Sequence, residues 1–410
     1  MEKTIFEIEG RRITMVLQEV CEFIVDCPHS TAPDEGEGYP LIRTPNIGKG
    51  RLKLDNVQRV SKEIYDKRNK RAVPQVDDII FAREAPAGNA AIICEGQEVC
   101  LGQRTVLIRP DKEKVYPQFL VYYMLAPQQQ YELLGTANGA TVAHVNIPII
   151  ENLPIELPSI EQQIKIAGII STHDNLIENN QKQIKLLEEA AQRLYKEWFV
   201  DLRFPGYEDV AAVDGMPEGW CLRCVSDFGK VITGKTPSTT NAQYYGGNIP
   251  FVTIPDMHGH VFPLTTEKTL TKEGANSQKS KYLPANSVMV SCIATVGLVN
   301  IVYEPCQTNQ QINSVILDNE YDLYFFFETM KCIKMLLDGV GSNGATMTNV
   351  NKSKFEKITI LYPTKELVRI YYKHCKLIFD KILSLSKIIE SAKQARDRLL
   401  PKLMSGELEV

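Results

Sequence analysis

The sequence predicts an α+β chain: two mixed α/β heads in tandem, joined by two long antiparallel coiled-coil helices with pseudo-two-fold symmetry. Two observations predict it. Asn138-Gly139-Ala140-Thr141-Val142-Ala143-His144-Val145-Asn146 returns 205 residues later as Asn343-Gly344-Ala345-Thr346-Met347-Thr348-Asn349-Val350-Asn351, with six of nine positions identical. Glu151, Ile155 and Pro158 then meet Glu356, Ile360 and Pro363 at the same offset, and each copy is followed by apolar residues recurring every seven positions. A repeated unit followed by a heptad seam reads as two globule-plus-helix halves.

The heads are expected at residues 1–158 and 216–363, with the first helix and linker at 159–215 and the second helix at 364–410. Within the first head, Val76-Asp77-Asp78-Ile79-Ile80-Phe81 and Thr105-Val106-Leu107-Ile108 have strand composition, with Gly, Pro and Asn marking the turns. The second head keeps the order. Asn286-Ser287-Val288-Met289-Val290 answers the first strand, Gly297 answers Gly88, and Gln310 followed by Ser314-Val315-Ile316-Leu317 answers Gln103 followed by Thr105 to Ile108. Pro40-Leu41-Ile42-Arg43-Thr44-Pro45-Asn46 likewise resembles Pro250-Phe251-Val252-Thr253-Ile254-Pro255-Asp256. The offset drifts from 210 to 205, as loops of unequal length would cause.

Ser159 and Gln162 have capping-box spacing and open the first helix. Its seams are Ile166, His173, Asn180, Leu187, Leu194 and Ile170, Ile177, Ile184, Ala191, Trp198. From Ser159 to Phe199 the rod is about 60 Å long. The second helix repeats both seams as Tyr371, Ile378, Leu385, Ala392, Leu399 and Cys375, Ile382, Ile389, Arg396, Leu403, and stops near Ser405-Gly406. Stripes this long need a partner, and the other helix of the chain is the nearest. The polar His173 and Asn180 on the seam are expected to fix register.

Composition narrows the function classes. A net charge of −4 at pH 7 argues against gripping nucleic acid by bulk electrostatics, because non-specific affinity comes from neutralised phosphates. The uncharged run from Tyr282 to Tyr303 contains Pro284, Asn286, Gly297 and Asn300, so it reads as buried strands and no membrane span is expected. Ten cysteines without a framework suit reduced thiols in a cytoplasm.

Gly229-Lys230-Val231-Ile232-Thr233-Gly234-Lys235-Thr236 matches the phosphate-loop pattern, whose mechanics require a helix opening at the Lys and Thr. Pro237-Ser238-Thr239-Thr240-Asn241 follows instead, a turn composition, so a Gly-Lys-Thr turn offering Lys235 and Thr236 to a DNA phosphate is the better reading than a nucleotide hydrolase. Cys221-Leu222-Arg223-Cys224 lacks the second pair a structural zinc site needs. His258-Gly259-His260 beside Asp256 is too few for a metal; on a head such side chains suit base or phosphate contacts, and a simple solvated loop is at least an equal reading. No nucleophile elbow, His-Glu zinc helix, dinucleotide loop or Asn/Asp-Pro-Pro-aromatic box is present, and no metal or cofactor is expected on the chain.

Two similar heads on two rods suggest a ligand with two similar halves, and duplex DNA is the obvious candidate. Asn146, Asn349, Asn351, Gln103, Gln310 and Gln311 suit adenine edges, and Arg43, Arg83 and Arg104 suit guanine or phosphate. Thr141, His144 and Thr346 of the duplicated loop, with Thr253 and His258, complete the candidate DNA contacts. The duplicated Asn-Gly equally serves as a turn former whose repetition preserves only backbone geometry. A coiled-coil scaffold that binds only protein is the remaining alternative.

These residues resemble a known family. Leu157-Pro158-Ser159-Ile160-Glu161-Gln162-Gln163 with Ile166-Ala167, Leu186-Leu187-Glu188-Glu189, and Leu194-Tyr195-Lys196-Glu197-Trp198-Phe199-Val200-Asp201 are similar to the central region of the specificity subunit of type I restriction-modification systems. Met216-Pro217-Glu218-Gly219-Trp220 and Thr233 to Ser238 look like the opening of its second target-recognition domain, and Arg396-Asp397-Arg398-Leu399-Leu400-Pro401-Lys402-Leu403-Met404-Ser405-Gly406-Glu407 like its C-terminal signature. The resemblance implies two target-recognition domains that read a split DNA sequence. It also implies helices that set their spacing and two docked modification subunits that bring S-adenosylmethionine and methylate adenine N6. It leaves open whether ATP-driven restriction subunits join. The helix residues expected to serve docking are Ile177, Ile184, Leu187, Leu194, Trp198, Ile382, Leu385, Ile389 and Leu399. The chain itself is expected to make and break no bonds. One departure stands out: Cys21 to Cys27 opens the first head without a Gly-Lys-Thr-Pro turn.

Overall fold

The computed structural model describes residues 12–135, 144–213, 215–293, 295–332 and 350–410. The chain forms two compact units, Met1–Leu176 with Ala392–Val410, and Ile177–Ser391, so each long helix contributes to both.

In the first unit a five-stranded sheet runs in the order Cys21–Asp26, Thr105–Pro110, Ile79–Ala82, Ala90–Ile92, Gly50–Arg51. Ile79 and Phe81 enter one core with Val106, Ile108 and Phe119, while Ile80 and Ala82 enter another with Leu107, Ala91 and Ile93. Alternate side chains point to opposite faces of a strand, so this sheet is covered on both sides. Tyr39–Ile42 forms a smaller sheet with Arg59–Val60 and Cys100–Leu101, and Ile13–Val16 pairs antiparallel with Pro154–Leu157.

The second unit repeats this plan. Gly229–Thr233, Ile312–Leu317, Val288–Ser291 and Val299–Ile301 form one sheet in that order, and Lys268–Leu270, Tyr245–Val252 and Gln307–Thr308 the smaller one. Val288, Val290 and Val315 enter one core, and Met289 and Ile312 the other. The uncharged run Tyr282 to Tyr303 supplies two of these strands, and among the described residues no helix is long and apolar enough to cross a membrane.

Both central strands begin later than their composition predicts, at Ile79 and Val288. The physical reason is shared. Asp77 and Asn286 hold φ at 76° and 66°, a left-handed conformation that ends strand geometry and that Asp and Asn tolerate better than most residues.

The first long helix, Ile160–Tyr195, is opened by the expected cap: Gln162 N donates to Ser159 Oγ at 3.3 Å, and Ser159 N to Gln162 Oε1 at 3.3 Å. It continues as a wider π-helical turn over Lys196–Val200. The second, Lys365–Ser405, stops at Gly406 with φ 78°. In the first unit Ile166, Ala167 and Ile170 share a core with Leu403, and Asp174 meets Arg396. In the second unit Ala191, Tyr195 and Trp198 share a core with Tyr371, Cys375, Phe379 and Ile382, and the Trp198 and Tyr371 rings lie 5.7 Å apart. These pairings make the helices antiparallel. On the seam, Asn180 is buried, and His173 is half-buried with its ring nitrogen 2.9 Å from Ile169 O.

Candidate nucleic-acid interface

Backbone hydrogen bonds put the two heads in register residue by residue. Cys27 N donates to Thr105 O as Gly234 N does to Ile312 O, at 3.2 and 3.0 Å. Arg83 N donates to Arg104 O as Cys292 N does to Gln311 O, both at 2.9 Å, and Val145 N donates to Arg83 O as Val350 N does to Cys292 O. Gly102 N to Ile42 O matches Asn309 N to Val252 O, and the N–H of Arg43 is capped by Asn46 as that of Thr253 is by Asp256. Cys27-Pro28-His29 therefore occupies the place of Gly234-Lys235-Thr236, and Gln103-Arg104 that of Gln310-Gln311.

One buried side chain in each head pins this turn. Gln278 Nε2 donates to Lys235 O at 2.6 Å, and Arg68, its counterpart, donates to Pro28 O at 3.2 Å and Ser30 O at 3.0 Å. Burial pulls the Arg68 guanidinium below its ordinary value. Both pins leave the next residue beside the paired glutamine: Thr236 Oγ1 donates to Gln310 Oε1 at 2.7 Å, and Gln103 Nε2 to His29 O at 2.6 Å.

In the second head Gly234 is required by close approach, since a Cβ there would lie 2.1 Å from Asn309 O and 2.4 Å from Thr308 O. Lys235 is exposed. The residues before it form the strand Gly229–Thr233, and no helix opens at Lys235-Thr236, so the phosphate-loop match lacks the helix N-terminus its chemistry needs. A cleft of about 510 Å³ sits beside the turn, lined by Thr236, Thr239, Tyr245, Phe251, Thr253, Glu267, Lys268 and Asn309 among others. Thr253 Oγ1 is bonded to Asp256 at 2.7 Å, Gln311 Oε1 accepts from Asn309, and His258 is exposed on the following loop. The cleft presents hydroxyl, amide, ammonium and carboxylate groups next to an aromatic wall, a set able to hydrogen-bond base edges and phosphates.

The first head presents an ionic chain instead. Arg83 is 9% exposed; its Nη1 donates to both Asp26 oxygens at 3.0 and 3.1 Å, its Nε to Val145 O at 2.9 Å, and its Nη2 to His144 Nε2 at 2.9 Å. His144 Nδ1 then donates to Glu84, and Glu84 Oε2 lies 2.9 Å from Arg104 Nε. Arg83 thus uses its Nε, both Nη1 bonds and one Nη2 bond inside the fold, in an ion pair with Asp26. Arg104 is exposed. Arg43 is exposed as well, with Nη1 on Gln58 at 3.1 Å.

The remaining candidates divide. Asn351 caps the short helix Lys352–Glu356 by accepting from Lys354 N at 2.9 Å, while the exposed Asn146 makes no side-chain cap at its own helix. Thr141, Thr346 and Asn349 lie outside the described residues, as do both copies of the Asn-Gly-Ala-Thr turn. Of the helix residues expected to serve docking, Ile177, Trp198, Ile382, Leu385 and Ile389 are buried, and Ile184, Leu187, Leu194 and Leu399 are partly buried against the same cores. The chain covers its own seam, and the exposed apolar residues of these helices are others, among them Leu186 and Leu377 at 64% and 75%.

Sequence reasoning missed Asp26, Arg68, Glu84, Lys268, Gln278 and Asn309. Arg68 and Gln278 stand at the offset of 210 already given by Pro40 and Pro250, so extending the repeat would have found them. Glu84 gave no signal apart from its neighbour. Among the described residues no group of three or more His, Cys, Asp or Glu side chains could hold a metal. Burial pushes the Cys292 and Cys306 thiols up to about 11 and 12, which keeps them protonated.

Comparison with known proteins adds the family. A model described as the type I restriction modification DNA specificity domain matches residues 14–189 and again 217–398. The chain is 32% identical over 396 residues to the type I restriction enzyme HindI specificity subunit of Haemophilus influenzae, covering 81% of this chain and 86% of that one. It is 26% identical over 343 residues to the type I restriction enzyme MjaIX specificity subunit of Methanocaldococcus jannaschii, covering 81% and 78%. Its fold is similar to the crystal structure of a type I restriction-modification S subunit from M. genitalium, with a TM-score of 0.56 at 14% identity over 97% of this chain and 98% of that one.

Proposed function

The chain belongs to the family of type I restriction-modification DNA specificity proteins, and on that premise we propose that it is the subunit that chooses the DNA target of such a system. The observation that carries this reading is the residue-by-residue match of the two heads around the pinned turn, Cys27-Pro28-His29 and Gly234-Lys235-Thr236. A protein that carries the same scaffold twice with different side chains at the same positions is suited to reading two different short sequences.

The finer parts of the proposal are these. Head one spans residues 1–158 and head two 216–363, with the helices of 159–215 and 364–410 as spacer. DNA meets the faces bearing Arg43, Gln103, Arg104, His144 and Asn146 in one head, and Lys235, Thr236, Thr253, His258, Gln310 and Gln311 in the other. Two modification subunits, which bring S-adenosylmethionine, dock on exposed helix faces, those of Leu186 and Leu377 included, since the seam is already covered. The chain performs no bond chemistry. Restriction subunits with ATP complete the restricting form of the complex.

The test is to co-express the chain with the modification subunit of its system, in a host lacking adenine methylation, and map N6-methyladenine. A single bipartite sequence with a fixed spacer is the expected result. Absence of any methylated motif from an assembled complex would overturn the reading, and retention of partner proteins without DNA selectivity would favour a scaffold.

A further inference from the structure

Position 104 in the first head and position 311 in the second are the same place in the fold, because each residue's carbonyl accepts from the residue that ends the central strand, Arg83 or Cys292. The side chains there differ in kind: a cation in one head and a neutral amide in the other. From this difference, and resting on the DNA-recognition reading above, we infer that Arg104 is a specificity-determining residue that reads a guanine in the half-site of the first head.

Three features single out Arg104 among the arginines of that surface. It is available: its side chain is 61% exposed, whereas that of Arg83 is 11% exposed and bonded to Asp26, Val145 and His144. It is anchored: Glu84 Oε2 lies 2.9 Å from the Nε of Arg104, an ion pair at one edge of the guanidinium. The grip is itself supported, since Glu84 receives His144, His144 receives Arg83, and Arg83 is fixed by Asp26. A guanidinium is a planar fork of donors, and one anchored in this way matches the O6 and N7 acceptors of guanine in the major groove. A phosphate makes no use of the fork's spacing, because its oxygens accept from many directions.

The backbone agrees. Arg104 holds φ at 64°, a conformation that a non-glycine residue keeps only where its surroundings fix it. Arg83 N bonded to Arg104 O, together with the Glu84 contact, supplies that fixing. Among its described residues the second head differs at these places: Cys292 replaces Arg83, and Gln311 accepts Asn309 on its amide oxygen.

The experiment uses the full chain co-purified with its modification subunits, mapping methylated sites across a genome for wild type, Arg104→Gln, Arg104→Lys and Glu84→Gln. In wild type the half-site assigned to the first head contains a guanine at one fixed position. Arg104→Gln should lower discrimination at that base roughly ten- to hundredfold and leave the other half-site unchanged. Glu84→Gln should relax the same base more weakly, as loss of the anchor without loss of the donor. If Arg104→Gln fails to assemble, Arg104→Lys decides: a cation without the fork restores a phosphate contact but not bidentate reading. An unchanged target in Arg104→Lys, or a loss of methylation equal at all sequences in Arg104→Gln, overturns the inference. A wild-type complex with no methylated motif at all overturns the family-based reading instead, so the two failures are distinguishable.

Discussion

Asp174 and Arg396, 222 positions apart in sequence, form an ion pair at 2.8 Å with side chains only 5% and 18% exposed. The other oxygen of Asp174 accepts the Tyr122 hydroxyl at 2.6 Å, and Arg396 also reaches Asp397 at 2.9 Å. One carboxylate thus ties the first helix to the second and to the helix Pro117–Leu125 of the head. At the repeat-related position, 205 residues on, Phe379 stacks on Tyr324 at 4.5 Å, so the same place in the second unit is aromatic.

Breaking that pair is expected to be costly. Asp174→Ala leaves the half-buried Arg396 guanidinium with only Asp397 and takes an acceptor from the buried Tyr122 hydroxyl, and stability should fall by about 2–3 kcal/mol, somewhat less than for a wholly orphaned charge. A lower melting temperature checks this. The double variant Asp174→Leu with Arg396→Met should recover part of the loss, because the unpaired charge is gone while the Tyr122 hydroxyl still lacks this acceptor.

Lys235→Ala should weaken retention on DNA and lower the steepness of its salt dependence by about one unit of the log–log slope, with the chosen sequence unchanged. Fluorescence anisotropy of the assembled complex at several salt concentrations measures it. Hydrolysis of ATP by the purified chain that disappears in this variant would instead support the phosphate-loop reading.

Glu328 is buried and Glu188 half-buried, and desolvation raises both carboxyl groups above the ordinary glutamate value while Lys331 pulls them back. The folded chain therefore holds these protons to higher pH than the unfolded chain does. Their stability contribution is complete below the unfolded value and is lost as pH rises through the raised one. Glu328→Gln should melt closest to wild type at the acid end of the stable range and gain on it as pH rises through the raised value. A thermal-melt series across that range would contradict the assignment if the gap stayed constant.

Thiol reactivity should follow burial. Cys306 and Cys375 are pushed up to about 12 by burial, and Cys100 and Cys292 to about 11, so native protein should resist alkylation at these sites, while the exposed Cys221 reacts first. Mass spectrometry after brief iodoacetamide treatment reads the order. Early modification of Cys306 would mean that its core opens.

Much of the fold was legible because its signals are local and periodic. The capping box at Ser159, the seam positions Ile166, Ile170, Tyr371 and Cys375, and the stop at Gly406 each depend on neighbours within a turn or two of helix. The site was less legible. Arg83 and Arg104 look alike as sequence, and only the positions of Asp26 and Glu84 separate an internal strut from an exposed donor. Nothing in the sequence showed that Asn351 caps a short helix, a role set by the Lys354 N–H it accepts.

By itself, the sequence determined that this protein has two related heads, two long helices, and a seam that repeats with them, since repetition and heptad spacing survive without knowledge of long-range contacts. Only the tertiary structure decided which charges are spent inside and which face outward. That choice depends on burial and pairing between residues as far apart as Asp26 and Arg83, or Asp174 and Arg396, where desolvation makes a partner obligatory and distance along the chain carries no information.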